Sequence, residues 1–210
     1  MSNVIAIIGT AGRDRSPMLT MDLWDAMKAD LKARILPSDT LISGGAAWAD
    51  HLAVHAYLAG WCKSLHLQLP APMNADRFLG PFKSAGSAAN YYHELFSKAI
   101  GENTCAQIRA AVDRGATFEC EPEAPGVRAM FVRNAKVASA CTGLIAYTFG
   151  EGDVPADGGT KDTWDKVKTG FRMHLNLRDV LQSHQHQMQC PSTQAPEPVR
   201  QMSRAERFSR

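Results

Sequence analysis

Three glycine-bearing loops, a basic helix segment and a few carboxylates are the parts of this sequence whose residue types and spacing could do chemistry. The loops are Gly9-Thr10-Ala11-Gly12-Arg13, then Ser43-Gly44-Gly45-Ala46 within "LISGGAAWAD", and Gly158-Gly159-Thr160. Glycine lacks the Cβ that would keep an anion away from backbone N–H groups, and a helix starting just beyond favours negative charge there. Arg13 could add a charge-assisted contact and Thr160 a hydroxyl donor. Each loop taken alone also reads as ordinary turn chemistry. None carries the G-K-[ST] of a Walker loop or the Rossmann G-x-G-x-x-G. The segment "RNAKVASA" adds Arg133, Asn134 and Lys136 on one predicted helix. Arg133 and Lys136, three apart, could meet one anionic group, or could simply lie on a solvated face.

General acid–base work at such a site would need a carboxylate to activate water or steady a developing positive charge. Asp162, Glu94 and Glu119 are the candidates. Glu94 stands beside Tyr91, Tyr92 and His93, which could stack on a base; the same aromatics could equally fill a core. Asp50 falls at a helix start, where a carboxylate complements the dipole; it could instead hydrogen-bond a ribose. His51 and His55 lie one turn apart, but no third metal ligand has useful spacing, so neither a metal nor a cofactor is expected.

These residues need elements to hold them. "VIAIIG" (Val4–Gly9) is a continuous β-branched run, the signature of a strand buried on both faces. Leu19, Leu23, Met27, Leu31 and Ile35 recur every four residues and predict a helix. A strand Thr40–Ser43, a helix through "WADHLAVHAYLAG" stopped by Gly60, and a strand Ser64–Leu69 follow. This β-α-β-α-β alternation predicts a right-handed parallel sheet. It pauses over about 70–125, where helices near Ala88–Ile100 and Thr104–Gly115 and an acidic stretch "ECEPEAPG" suggest a helical insertion poor in strand signals. A helix over Val127–Ala140, a strand Thr142–Phe149, a helix from Lys161 to about Thr169 and a strand Phe171–Leu177 complete the pattern. The expected fold is α/β, a Rossmann-like parallel sheet of about five strands in the order 3-2-1-4-5, forming a single domain over 1–181. Ligands in such sheets collect at the carboxyl ends of the strands, where all three loops are predicted to lie. Residues 182–210, rich in Gln, Pro and Arg, are expected to be a disordered tail.

The 210 residues carry a formal charge of +2, with 45% hydrophobic and 21% charged residues, normal for a globular chain. The last thirty residues hold four Arg and two Glu, so the body is formally neutral and nucleic acid is an unlikely partner. Five scattered cysteines without a C-x-x-C pair fit reduced thiols in a cytoplasm. Nothing is long and apolar enough to span a membrane, and the first residues do not read as a signal peptide.

Gly-x-x-Gly-Arg after strand one, "SGGAAWAD", "RNAKVASACTGLIAY" and "GGTKDT", in this order, resemble the SLOG superfamily over residues 3–69 and 126–178. That Rossmann-like group includes the LOG-type nucleotide phosphoribohydrolases, the YspA/YpsA-like proteins and the Rossmann core of DNA-processing protein A. The resemblance implies a nucleotide phosphate on the Gly44-Gly45 and Gly158-Gly159-Thr160 loops, and Arg133 near the glycosidic centre. In LOG-type enzymes the last loop reads Pro-Gly-Gly-x-Gly-Thr-x-x-Glu. Here Ala156-Asp157 precede Gly158-Gly159-Thr160, one glycine is missing, and the nearest carboxylates are Asp162 and Asp165. The leading expectation is a hydrolase or transferase acting at the N-glycosidic bond of a nucleotide, with Arg133 and Asp162 or Glu94 as catalytic pair. The alternatives are a non-catalytic sensor or sequestering module for an ADP-ribose-like signal and, less favoured, single-stranded DNA binding. The resemblance also implies a homo-oligomer.

Overall fold

The computed structural model of the chain describes residues 3–121, 128–156, 158–168 and 170–189. At its centre is a parallel sheet. Strands β1 (Val4–Gly9), β2 (Thr40–Ser43) and β3 (Ser64–Leu69) run outward from the middle on one side. The small β4 (Met73–Asn74) and β5 (Arg77–Phe78) form a separate antiparallel pair. Strand β6 (Thr117–Cys120) adds to the free edge of β3, while β7 (Gly143–Thr148) and β8 (Phe171–Asn176) extend the sheet beyond β1. The order is β6-β3-β2-β1-β7-β8, so the α/β Rossmann-like architecture holds. The predicted order of five strands is preserved, with one strand added.

Strand alternation divides the core. Ile5 and Ile7 of β1 point into a large cluster with Leu23, Met27, Leu31, Leu52 and Phe96. Ala6 and Ile8 point into a smaller one with Val137, Leu144, Ala146 and Trp164. The first cluster is covered by α1 (Met21–Arg34), α2 (His51–Leu58), α3 (Ala85–Ile100), α4 (Thr104–Asp113) and α7 (Leu177–Gln189), the second by α5 (Arg128–Ala140) and α6 (Gly159–Lys166). Each fully buried Leu or Ile contributes about 1.5–3 kcal/mol. Caps fix the helix starts: Thr20 Oγ1 accepts from Leu23 N–H, and Ser84 Oγ accepts from Ser87 N–H.

Two sequence expectations are corrected. The segment 70–125 is not purely helical, because Thr117–Cys120 pairs in parallel with His66–Leu69. "TFEC" is short and mostly exposed, so it lacks the apolar run that marks a central strand. Nor is the tail without structure from 182. Residues 182–189 continue α7, whose Leu177 and Val180 bury against the core beside α1. A short i, i+3 apolar pair docks this helix although its later residues are Gln and His. The acidic stretch over 122–127, Asp157, Thr169 and the remainder of the tail, 190–210, lie outside the described residues.

Candidate functional site

The strand order reverses between β2 and β7 on either side of β1, and the loops leaving the strands' carboxyl ends diverge there. A cavity of about 400 Å³ opens at this point. Gly9, Thr10, Arg13, Gly44, Asp50, Arg133, Asn134, Gly158, Gly159 and Thr160 all line it. The three loops are stitched together: Thr160 Oγ1 donates to Gly9 O at 2.9 Å, and Ala49 N–H donates to Thr10 O at 3.1 Å. The Thr160 hydroxyl proton therefore serves the scaffold. What α6 offers the cavity is its first-turn backbone N–H groups, which have no intrahelical partner.

Arg133 enters from α5. Its Nη1 donates to Gly44 O at 2.8 Å and its Nη2 to Asn134 Oδ1 at 3.2 Å, while the buried Nε has no hydrogen-bond partner among the described residues. Asn134 in turn donates through Nδ2 to Gly159 O at 3.2 Å, so it ties the guanidinium to the third loop. A Cβ on Gly44 would lie 2.6–2.8 Å from the Arg133 guanidinium atoms. The first glycine of "SGG" thus leaves the Arg133 guanidinium room to sit against the backbone. The second, Gly45, has φ +65, and a Cβ there would meet Leu69 at 2.6 Å. Ser43, behind them, accepts from Gly45 N–H at 3.1 Å and donates to Asp50 O at 2.8 Å.

Asp50 is the buried carboxylate of the cavity, 5% exposed. It makes no cap bond to its own helix; its Oδ2 accepts from Ala46 N–H at 3.5 Å. Burial pushes its pKa up, opposed by the Arg133 charge and by the N–H groups of Ala46, Gly44 and Gly9. Burial likewise lowers the pKa of Arg133, which Asp50 counters and Arg13 reinforces. Arg13, at the exposed rim, donates to Met130 Sδ at 3.1 Å and lies over the Tyr92 ring. Tyr92, Phe131 and Phe149 give the cavity flat apolar walls. Tyr92 and Ala89 come from α3, so the inserted segment forms part of the site.

Other predicted residues are placed elsewhere. Glu94 is exposed and paired with Lys98 at 2.7 Å, away from the cavity. Asp162 does not line the cavity; it binds Lys166 at 2.7 Å and accepts from Asn134 Nδ2 at 3.3 Å. Lys136 turns to Glu121, just past β6, at 2.7 Å and to Glu119 of β6 at 3.5 Å. These Glu121 and Glu119 contacts raise its pKa. Arg133 and Lys136 therefore do not converge, because an unpredicted strand supplies Lys136 with partners. Gly12 belongs to a neighbouring cavity, not this one. His51 pairs through Nε2 with Gln107 at 2.7 Å. Among the described residues no group of three or more His, Cys, Asp or Glu could hold a metal ion, and no helix is long and apolar enough to cross a membrane.

No family model matches the chain. An uncharacterized protein of Acanthamoeba polyphaga mimivirus is 33% identical to it over 191 residues, covering 84% of this chain and 97% of the viral one. The chain belongs to the same family as that viral protein. It is also similar to the X-ray structure of DNA processing protein A from Streptococcus pneumoniae, at 15% identity and TM-score 0.47. That match covers 91% of this chain and 56% of the other, so the chain spans little more than half its length. A second similarity, at 15% identity and TM-score 0.39, is to DNA processing protein A of Helicobacter pylori, studied for its single-stranded DNA binding mode; it covers 88% of this chain and 80% of that one.

Proposed function

We propose that this protein binds a nucleotide by its phosphate at the carboxyl edge of the sheet and acts on its N-glycosidic bond, as a hydrolase or transferase. The observation that carries the reading is Arg133: a half-buried side chain fixed by Gly44 O and Asn134, with its buried Nε unpartnered near the buried carboxylate of Asp50. The phosphate takes the first-turn N–H groups of α6 and the Arg13 side chain. The base lies against Tyr92 and Phe131. Asp50, and not Glu94 or Asp162, is the carboxylate within reach of the sugar. It steadies positive charge developing at the anomeric carbon or takes a proton from the attacking water. The SLOG-like glycine loops support the same reading. With it go a homo-oligomer, read by light scattering, and a cytoplasmic location.

The test is incubation with nucleoside monophosphates and NAD-type compounds, followed by chromatography for released base. Release that disappears in Asp50→Asn is the expected result; no release from any of them overturns the catalytic part. A second reading, a non-catalytic module holding an ADP-ribose-like signal, is favoured by the ion pairing of Asp162 and Glu94 away from the cavity. Tight calorimetric binding without turnover selects it. Single-stranded DNA binding remains the lesser alternative; a salt-sensitive gel shift with an oligonucleotide would bring it forward.

A further inference from the structure

We infer that a second cavity beside the site is a ring-binding subsite, so that the ligand is a dinucleotide: two ring-bearing halves joined through a pyrophosphate. This rests on the nucleotide reading of the first cavity. The second is of similar size, about 380 Å³, and its walls include Gly12, Arg15, Trp48, Tyr91 and Leu95. Ala11 and Tyr92 line both cavities, so the two meet along one wall.

The chemistry along that wall suits a bridged ligand. Arg13 lines the first cavity, and its guanidinium lies 5.6 Å from the centre of the Tyr92 ring. A cation is therefore placed where a pyrophosphate would pass from one lobe to the other. Beyond it, the Tyr91 ring stands edge-on to Tyr92 at 5.2 Å and is 46% exposed, which leaves a face for stacking. Trp48 is 2% exposed and held against Phe96, with ring centroids 4.5 Å apart. Its indole N–H makes no hydrogen bond to another described residue, and the nitrogen is not among the polar atoms sealed from solvent. It stands beside Gly12 in the wall of the second cavity, where a ring nitrogen or hydroxyl could accept from it. Flat aromatic surface, one unpaired donor and a neighbouring cation fit a base or nicotinamide-like ring better than an aliphatic or purely anionic group.

The experiment compares AMP, NAD+ and a short oligo(dT) by calorimetry on the wild-type chain, Tyr91→Ala and Leu95→Trp. Both positions are about half exposed, so the fold should survive, which melting curves check. Wild type is expected to bind NAD+ at least about tenfold more tightly than AMP, equivalent to about 1.4 kcal/mol. The truncation of Tyr91 and the filling of the cavity by Leu95→Trp should remove that advantage and leave AMP binding within about twofold. AMP binding with no advantage for NAD+, or an advantage that survives in both variants, overturns this inference alone. Absence of AMP binding overturns the nucleotide reading and this with it. Competition by oligo(dT) that depends on Tyr91 assigns the cavity to a nucleic-acid strand and also overturns the inference.

Discussion

Replacing Gly44 with alanine isolates the positioning of Arg133 from the stability of the fold. Gly44 is not among the glycines with positive φ, so the backbone accepts alanine without strain. The added Cβ would stand 2.6 Å from Arg133 Cζ, 2.7 Å from Nε and 2.8 Å from Nη1. Non-bonded heavy atoms settle at about 3.5–4.0 Å, so the guanidinium must retreat by about 1 Å. That movement breaks the 2.8 Å bond from Nη1 to Gly44 O and loosens the 3.2 Å bond to Asn134. A hydrogen bond to a charged group is worth about 1.5–3 kcal/mol, so nucleotide affinity should fall about 10- to 100-fold. The melting temperature should drop by only a few degrees, since neither apolar cluster includes Gly44. Calorimetric titration with a nucleoside monophosphate, paired with a thermal melt, reads both quantities. Wild-type affinity in Gly44→Ala would refute the claim that this arginine organises the site; so would a collapse of the fold. Gly45→Val is a poorer probe, because φ +65 and the 2.6 Å approach to Leu69 make it a stability mutation.

Asp50→Asn should abolish any base release and tighten monophosphate binding several-fold, because a negative charge leaves the phosphate's surroundings; weaker binding with turnover intact would contradict the assigned role. A carboxyl whose folded pKa is raised loses stability as pH climbs above its ordinary value near 3.8, so the stability of Asp50→Asn relative to wild type should rise with pH over that window, as urea melts would report. Glu94→Ala should change affinity by less than about twofold and stability by no more than about 0.5 kcal/mol, since its ion pair with Lys98 is exposed. Burial pulls His51 down to about 3 and His93 to about 4, from 6.5, with His93 donating to Gly45 O and His51 pairing with Gln107. Below about pH 6.5 the unfolded chain takes up protons that the folded one refuses. Stability should therefore fall toward pH 4 by up to about 1.4 kcal/mol per pH unit per histidine, and His93→Gln should flatten that slope.

The sheet was legible because its central strands are buried on both faces, and "VIAIIG" and "TGLIAYTF" announce that without help from context. Edge strand β6 was not, since its exposure leaves little apolar signal, and that omission propagated. Without β6 nothing in the sequence claims Lys136, so its spacing from Arg133 leaves a shared anion or a solvated face equally open. Helix α7 was obscured for a related reason: docking by Leu177 and Val180 outweighs a polar composition over its last residues. Within the site, the convergence of the loops followed from topology, whereas the choice among carboxylates depends on side-chain direction. Asp50 was seen as a cap or ribose contact, and only packing shows that it makes no cap bond and turns to the cavity. Glu94 has the more suggestive neighbours, yet Tyr92 and Ala89, and not Glu94, are the residues of that helix that reach the cavity. The two glycines of "LISGGAAWAD" looked equivalent, but one accommodates an arginine and the other a left-handed turn.

The central claim is that this cavity recognises a nucleotide through its phosphate. Calorimetric titration of the wild-type chain with a nucleoside monophosphate and with the same nucleoside lacking phosphate tests it most directly. The monophosphate should bind at least about tenfold more tightly, a difference of about 1.4 kcal/mol, and Arg13→Gln should shrink the difference. Equal binding of the two, or no binding of either, would contradict it.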